Sequence, residues 1–259
     1  MSLNFISTIG STNSLTYKSY NLLKTKLILL GFLLALDEFS APAIADLSKA
    51  DHAAMQQVIK QYIMDNPEVL RDSLMGLAAR EKQAIITAGL AEVRRDDGDP
   101  VMGNINGRLV IYEFSDYNCG YCKRMFPTIQ QLLANNSDIR MVVKEFPILG
   151  QSSLTAARAG VAAQKQGKFP VFHSEMMKYR GQVSEAVIMT AARTAQLDLE
   201  QLRQDMDSSA TNAIIERTRA GAAALDLSGT PALVVGETII PGLVSIEELQ
   251  NVINRERAK

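Results

Sequence analysis

The chain has two cysteines, Cys119 and Cys122, and they stand three residues apart in the sequence EFSDYNCGYCKRMF. A disulfide between them would close so small a loop that it would constrain the unfolded chain very little. The preceding run RLVIYEFS (108–115) is apolar, β-branched and aromatic, which predicts a buried strand, and 119–135 has helical spacing. The pair is therefore predicted to stand where a strand passes into a helix.

This position favours redox chemistry. The free backbone N–H groups and the macrodipole at a helix N-terminus stabilise a thiolate. Such placement lowers the pKa of a cysteine from ~8.5 to about 3.5–7.5. We therefore expect Cys119 to attack a substrate disulfide and Cys122 to resolve the mixed disulfide that forms.

Metal binding is a weaker interpretation of the pair. A structural zinc site needs four ligands, and neither His52 nor His173 has a ligand partner at zinc-finger spacing. A c-type haem needs a histidine directly after the second cysteine, where this chain has Lys123. We predict no metal and no cofactor other than the redox-active disulfide Cys119–Cys122. Because soft thiolates also suit Cu(I), a non-enzymatic chaperone or copper-handling protein is kept as an alternative.

Residues 1–45 are predicted to be a cleaved signal peptide. A basic stretch (18–26) precedes the apolar run 27–36, and the small residues APAIA end at Ala45 as in a cleavage site. The apolar run is about half of the ~20 residues that span a bilayer, so a membrane anchor is less favoured. Export to the periplasm or cell envelope of a bacterium would place the thiols where disulfides persist. The formal net charge of −1 gives no reason to expect nucleic acid as a partner.

Residues 46–99 predict a helical arm, because Ala, Leu, Gln, Arg and Glu dominate them. Asn66 and Pro67 suit the N-cap and first position of a second helix. An apolar stripe at helical spacing follows: Leu70, Leu74, Leu77, Ala84, Ala88 and Ala91. Such a stripe needs a partner, which is either its own domain or another copy of the chain, and we favour a homo-oligomer. Gly, Pro and dense charge predict a domain boundary at 96–100.

Residues 100–259 predict an α/β catalytic domain. The predicted order is strand, helix, strand, a helical block, a hairpin and a terminal helix, over 108–115, 119–135, 138–148, 151–226, 230–242 and 245–258. Ser245 and Glu248 form a capping box at the start of the last helix. This order predicts a small mixed sheet with a helical insertion.

At 110–126 the chain resembles the active-site strand and helix of the thioredoxin superfamily, specifically the DsbA-like exported thiol–disulfide oxidoreductases. The sequence GTPALVVG resembles the cis-proline loop of that family. The resemblance covers about 104–258 and implies a thioredoxin fold in which the helical block is the inserted domain. It also implies that Pro231 is a cis-proline facing the active site, with Thr230 before it.

The same resemblance assigns a role to Glu113, six residues before the first cysteine. The family position that it matches carries a buried acid that assists proton transfer at the buried cysteine, and an ordinary strand-end acid is the alternative. Lys144 could neighbour this acid, but an exposed strand lysine is favoured. His173 is expected to have a structural role.

The dipeptide between the cysteines is Gly120-Tyr121 and departs from the Pro-His of the strongly oxidising members. Without that histidine the disulfide should be a milder oxidant. Gly-Tyr and the threonine before the cis-proline resemble the DsbC-type isomerases, which carry an N-terminal dimerisation region. The resemblance implies an enzyme that isomerises or forms disulfides in unfolded or misfolded exported proteins, working with a membrane redox partner. A DsbA-type dithiol oxidase is the alternative.

Overall fold

A computed structural model describes residues 48–259 of the chain. The predicted signal peptide, 1–45, lies outside the described residues. Among the helices from 48 to 259, none combines the length and the apolar character that crossing a bilayer requires.

The chain divides into two compact units, Met1–Leu70 and Arg71–Lys259. The first unit contains α1 (Lys49–Asp65), which begins at Ser48 with a capping box. No residue of α1 is buried. A second helix, α2 (Pro67–Val93), begins directly after Asn66, so the predicted break at Asn66-Pro67 is confirmed.

Within the second unit, the end of α2 is part of the protein core. Leu90 and Val93 pack in one cluster with Phe114, Phe146 and Leu225. A loop follows in which Asp96 accepts a hydrogen bond from Arg140 at 2.7 Å and Asp99 accepts one from Lys144 at 2.6 Å. The segment 96–100, where the sequence predicts a boundary, is therefore held inside this unit by ion pairs.

The sheet of the second unit has five strands among the described residues, in the order β1-β3-β2-β4-β5. They are β1 (Val101–Gly103), β2 (Leu109–Ser115), β3 (Ile139–Glu145), β4 (Ala232–Val235) and β5 (Thr238–Pro241). Strands β2 and β3 are parallel, and every other neighbouring pair is antiparallel. The predicted mixed sheet is confirmed, with β1 as a strand that the sequence did not indicate.

One helix crosses between the parallel strands, and a block of helices is inserted before β4. The helices are α3 (Gly120–Asn135) between β2 and β3, then α4 (Gln151–Lys165), α5 (Phe169–Lys178), α6 (Glu185–Thr194), α7 (Leu199–Met206), α8 (Ser209–Ala224) and, after β5, α9 (Ile246–Arg257). Ser245 and Glu248 form the predicted capping box of α9. The predicted helical insertion is confirmed.

Side chains alternate between the two faces of the sheet, and each face has its own core. On one face Ile111, Met141 and Val143 pack with α3 and the inserted helices. On the other face Tyr112 and Phe114 pack with the end of α2 and with α8.

Lys144 belongs to the second of these faces, and the prediction of an exposed lysine there is wrong. Lys144 is 1% exposed, because its strand is central in the sheet and is covered on both faces. Its ammonium group pairs with Asp99, which also accepts a hydrogen bond from Arg217 at 2.9 Å, and lies 5.5 Å from the ring centre of Tyr112.

Candidate active site

Cys119 is the N-cap residue of α3, the position that the sequence predicts. Its extended backbone, at φ −75° and ψ 113°, turns the chain from β2 into the helix, and its amide donates to the carbonyl of Asp116 at 3.0 Å. The Sγ atom accepts a hydrogen bond from the backbone N–H of Cys122 at 3.4 Å. The thiol therefore takes the place that a serine or aspartate side chain usually fills at a helix start.

Asp116 fixes the loop that leads to this cysteine. One carboxylate oxygen accepts from the Asn118 amide at 2.8 Å and from the Ser153 hydroxyl at 2.7 Å. The other accepts from the backbone amides of Ile148 and Leu149, at 2.9 and 3.0 Å. The sequence offered one signal for this role, since an aspartate directly after a strand often accepts a hydrogen bond from the backbone two residues on.

The loop before β4 meets the same thiol. The Thr230–Pro231 peptide bond is cis, and the Cys119 thiol donates to the Thr230 carbonyl oxygen at 3.2 Å. The carbonyl of Pro231 accepts from the Gly242 amide at 2.8 Å, which ties this loop to the end of β5. The structure thus brings together the cysteine pair and the Thr-Pro loop, 111 residues apart in sequence.

Hydrogen bonding separates the acidities of the two thiols. The bond from the Cys122 thiol is the largest cause that lowers the pKa of Cys119, and bonds from the Thr230 side chain and from the amides of Cys122 and Tyr121 add to it. Against the opposing effect of burial, they lower that pKa from 9.0 to about 5. The bond to Cys119, burial and the charge of Glu113 all raise the pKa of Cys122 above its ordinary range. These shifts favour the thiolate form at Cys119 and the protonated form at Cys122, and neither cysteine is in a disulfide.

Glu113 is buried on the face of the sheet that carries α3. The side chain is 2% exposed, and its Oε2 atom has no hydrogen-bond partner among the described residues. Burial raises the pKa of this carboxyl from 4.5 to about 7. Lys144 lies on the opposite face with Asp99, so the cation that the sequence offered as a possible neighbour of Glu113 is used elsewhere.

A second buried acid, Glu145, ends a short chain of hydrogen bonds near the site. The Tyr117 hydroxyl lies 2.8 Å from Glu145 Oε1 and 3.0 Å from His173 Nδ1. Burial raises the pKa of Glu145 and lowers that of His173 to about 3, so the imidazole is neutral at neutral pH. Glu145 and Tyr117 were not predicted to interact, because they are 28 residues apart in the sequence and only the packing of the helices against the sheet brings them and His173 together.

The dipeptide between the cysteines faces outward. Gly120 has open space where a side chain would begin, and Tyr121 is 55% exposed. The guanidinium of Arg124 lies 4.2 Å from the centre of the Tyr121 ring. From 48 to 259, no cluster of three or more His, Cys, Asp or Glu side chains could hold a metal ion.

Known proteins are similar to this chain to different extents. A thioredoxin-like oxidoreductase from Silicibacter pomeroyi is 39% identical, with a TM-score of 0.62, and the match covers 65% of this chain and 97% of that one. ScsC from Proteus mirabilis in a transitional conformation is 25% identical, with a TM-score of 0.60, over 83% of this chain and 98% of that one.

A third match is of another kind. It is the Na(+)/H(+) antiporter NhaA 1 of Salinispora arenicola, which is 28% identical over 155 residues. This match covers 59% of the present chain but 24% of the antiporter, so the chain spans about a quarter of that relative's length.

The family model described as DSBA-like thioredoxin domain matches residues 110–254, which include the cysteine pair and the Thr-Pro loop. The chain belongs to this DsbA-like thioredoxin family of thiol–disulfide oxidoreductases.

Proposed function

We propose that this protein is an exported thiol–disulfide interchange enzyme that isomerises or forms disulfides in exported proteins through Cys119 and Cys122. The observation that carries the proposal is the position of the Cys119 sulfur at the start of α3, where hydrogen bonds lower its pKa to about 5. At neutral pH this thiol is almost entirely thiolate, and the thiolate is the form that attacks disulfides.

Disulfide exchange at Cys119 proceeds by successive attacks of thiolates on disulfide sulfurs. The Cys119 thiolate attacks one sulfur of a substrate disulfide, an enzyme–substrate disulfide forms, and the other substrate sulfur leaves as a thiolate. In isomerisation that thiolate attacks a different substrate disulfide, and a later substrate thiolate releases Cys119 with no net change of oxidation state. In the resolving step, Cys122 loses its proton and attacks the Cys119 sulfur of the mixed disulfide. The Cys119–Cys122 bond forms, the bond to the substrate breaks and the substrate sulfur leaves as a thiolate, so that the enzyme is oxidised and the substrate reduced by two electrons.

Glu113 is the proposed proton acceptor for the resolving step. Cys122 is 0% exposed, so its proton needs a buried acceptor. A carboxyl group with a pKa of about 7 changes protonation state near neutral pH, which suits an acid–base catalyst. Because the charge of Glu113 raises the pKa of Cys122, each group is easier to ionise when the other is neutral.

A DsbA-type dithiol oxidase is the second candidate, and the low pKa of Cys119 favours it. A stabilised thiolate stabilises the reduced enzyme, which makes the disulfide form a better oxidant. The exposed Gly120-Tyr121 dipeptide supports the isomerase instead, since it lacks the cationic side chain that would strengthen this effect.

One pair of assays separates the candidates. The purified protein is incubated with a scrambled multi-disulfide protein, whose recovered activity reports isomerisation, and with the same protein fully reduced, which reports oxidation. The variant Cys119→Ser is the control and should be inactive in both assays. Recovery from the scrambled form supports isomerisation, whereas oxidation alone supports the oxidase. If Cys119→Ser keeps the cellular role, a non-enzymatic chaperone replaces both proposals.

The N-terminal helices are proposed to join copies of the chain. Large apolar side chains are at least 45% exposed along α1 and the first turns of α2: Met55, Val58, Ile59, Tyr62, Met64, Leu70, Leu74, Met75 and Leu77. In a soluble protein, so many apolar side chains along a helix are normally buried against a partner. Another copy of the same arm presents matching apolar surface, and the covered stripe would then contribute about 25 cal/mol per Å².

Light scattering on the mature protein tests this proposal. Tyr62→Ser with Leu74→Ser should lower the mass in solution toward that of one chain, while the exposed polar changes Gln57→Ser with Lys82→Ser should not. A monomeric mature protein would refute the arm as an oligomerisation element.

Export to the periplasm and reliance on a membrane redox partner are further proposals. Cell fractionation that locates the mature protein tests the first, and trapping of its mixed disulfides in cells tests the second.

A further inference from the structure

A positively charged pocket opens beside the nucleophile. It has a volume of about 480 Å³, and its lining includes Gly120, Lys123, Arg180 and Gly181. None of its lining residues, all in the described part of the chain, is acidic. The pocket is lined by Asn118 and Gly120, the two sequence neighbours of Cys119. A substrate chain joined to the Cys119 sulfur would therefore pass close to the mouth of the pocket.

Lys123 supplies one of the two charges. It lies one helical turn after Cys119, and its amide donates to the Cys119 carbonyl at 3.1 Å. The residue is 5% exposed, yet its ammonium group has no carboxylate partner among residues 48–259. It donates to the Gly181 carbonyl at 3.2 Å and lies 5.6 Å from the ring centre of Tyr179. A neutral carbonyl and a ring face compensate a buried ammonium group less well than an anion does.

Arg180 supplies the second charge. Its side chain is exposed and makes no hydrogen bond or ion pair with any of the described residues. Burial lowers the pKa of Lys123, and repulsion by Arg180 lowers it further. Two cations therefore share one pocket, and their interaction is repulsive until an anion enters.

The need for an anion increases during the reaction. The buried Asp116 carboxylate and, in the reduced enzyme, the Cys119 thiolate attract Lys123 and raise its pKa, which offsets part of this repulsion. When Cys119 attacks, the new S–S bond makes its sulfur neutral and the negative charge leaves on the substrate thiolate. The pocket is thus most positive in the mixed disulfide, when the substrate chain is held next to it.

We propose that this pocket is a substrate subsite for a carboxylate, so that the enzyme prefers cysteines with Asp or Glu close by in the substrate chain. The proposal rests on the disulfide-exchange function proposed above and specifies its substrate class. Arg180 can bind a carboxylate through two parallel N–H donors, and Lys123 adds a desolvated charge on the side of the nucleophile. An amide such as Gln has the same shape as Glu but lacks the charge.

The test compares two peptide disulfides that differ by one group. Each is a symmetric dimer of a short peptide, with either Glu or Gln next to its single cysteine. The rate of reaction with the reduced full-length mature protein is measured by acid quench and mass spectrometry. Each rate is divided by that of the same peptide with dithiothreitol, which removes the effect of the carboxylate on the leaving thiol. Arg180→Gln is the test variant, and Arg203→Gln, an exposed arginine on α7, is the matched control.

We expect the unmodified protein to react about 3- to 5-fold faster with the Glu peptide, which is the upper part of the range measured for exposed ion pairs. This preference should fall below about twofold in Arg180→Gln and at high salt, and it should persist in Arg203→Gln. Equal rates for the two peptides, or a full preference in Arg180→Gln, would overturn the subsite and leave the exchange function intact. If neither peptide reacts faster than with Cys119→Ser, the exchange function itself fails.

Discussion

The variants Cys122→Ala and Cys122→Ser differ by one hydrogen-bond donor, and the difference tests what ionises Cys119. The bond from the Cys122 thiol is the largest cause that lowers the pKa of Cys119 to about 5. Alanine removes this donor, whereas serine replaces it with a hydroxyl group of similar size. Both variants leave Cys119 as the one cysteine of the chain, so its reactivity can be measured without interference.

The size of the effect follows from the strength of the bond. A hydrogen bond to a charged group contributes about 1.5–3 kcal/mol, and one pKa unit corresponds to about 1.4 kcal/mol. Cys122→Ala should therefore raise the pKa of Cys119 by about 1 to 2, to about 6–7. Cys122→Ser should leave it near 5, because the Thr230 contact and the backbone amides are also unchanged. At about pH 6 alanine should slow alkylation several-fold relative to serine.

The measurement is the rate of alkylation by iodoacetamide between about pH 4 and about pH 9, with the thiolate absorbance in the ultraviolet as a second reading. An equal pKa in the two variants would refute the reasoning. If both stay near 5, the start of the helix is sufficient without the second thiol. If both rise together, loss of packing at Cys122 rather than loss of a donor is the cause.

Four further substitutions test buried groups on the two faces of the sheet, the last of them as a control. Burial raises the pKa of Glu113 from 4.5 to about 7, so its contribution to stability is complete below about pH 4.5 and is lost as the pH rises through 7. Glu113→Gln should thus be more stable than the unmodified protein by about 3 kcal/mol above pH 7 and equal to it at acid pH, as measured by urea unfolding. Lys144→Met should lower the free energy of unfolding by about 3–5 kcal/mol, because it removes one of the cations that pair with the buried Asp99 carboxylate. The rate of Cys119 alkylation, on the other face of the sheet, should stay unchanged. Gly160→Ala should cost about 1–3 kcal/mol, because the new methyl group meets the Glu145 carboxylate. Gly76→Ala, on a helix with nothing within 4 Å, should gain about 0.5–1 kcal/mol; equal effects at the two glycines would show that the buried contact is unimportant.

The features that the sequence predicted correctly depend on neighbours along the chain. The passage from β2 to α3 at Cys119, the Asn66-Pro67 break and the Ser245–Glu248 capping box each follow from a few consecutive residues. The helical insertion was also predictable, since its length and composition distinguish it from the strands on either side.

The features that it missed depend on residues far apart in the chain. The charged segment 96–100 has the composition of a solvated linker, but Asp96 and Asp99 meet Arg140 and Lys144, about 45 residues later. Strand β1 spans three residues and ends at a glycine, so its antiparallel pairing with β3 supplies the signal that its own sequence lacks. The positions of Asp116 and Glu145 likewise depend on how α4 and the loop before it pack.

The two faces of the sheet explain how charge supports the fold and the chemistry separately. On β3, Lys144 and Glu145 are adjacent in sequence, but alternation sends them to opposite faces. On one face Lys144 forms an ion pair with Asp99 at 2.6 Å, so its charge is compensated there. On the other face Glu113 and Glu145 have no ion-pair partner among residues 48–259, and burial raises the pKa of both. If a cation paired with Glu113, its pKa would fall and it would be a weaker base for the Cys122 proton. The placement of Lys144 on the far face is therefore consistent with the proton-acceptor role that we propose for Glu113.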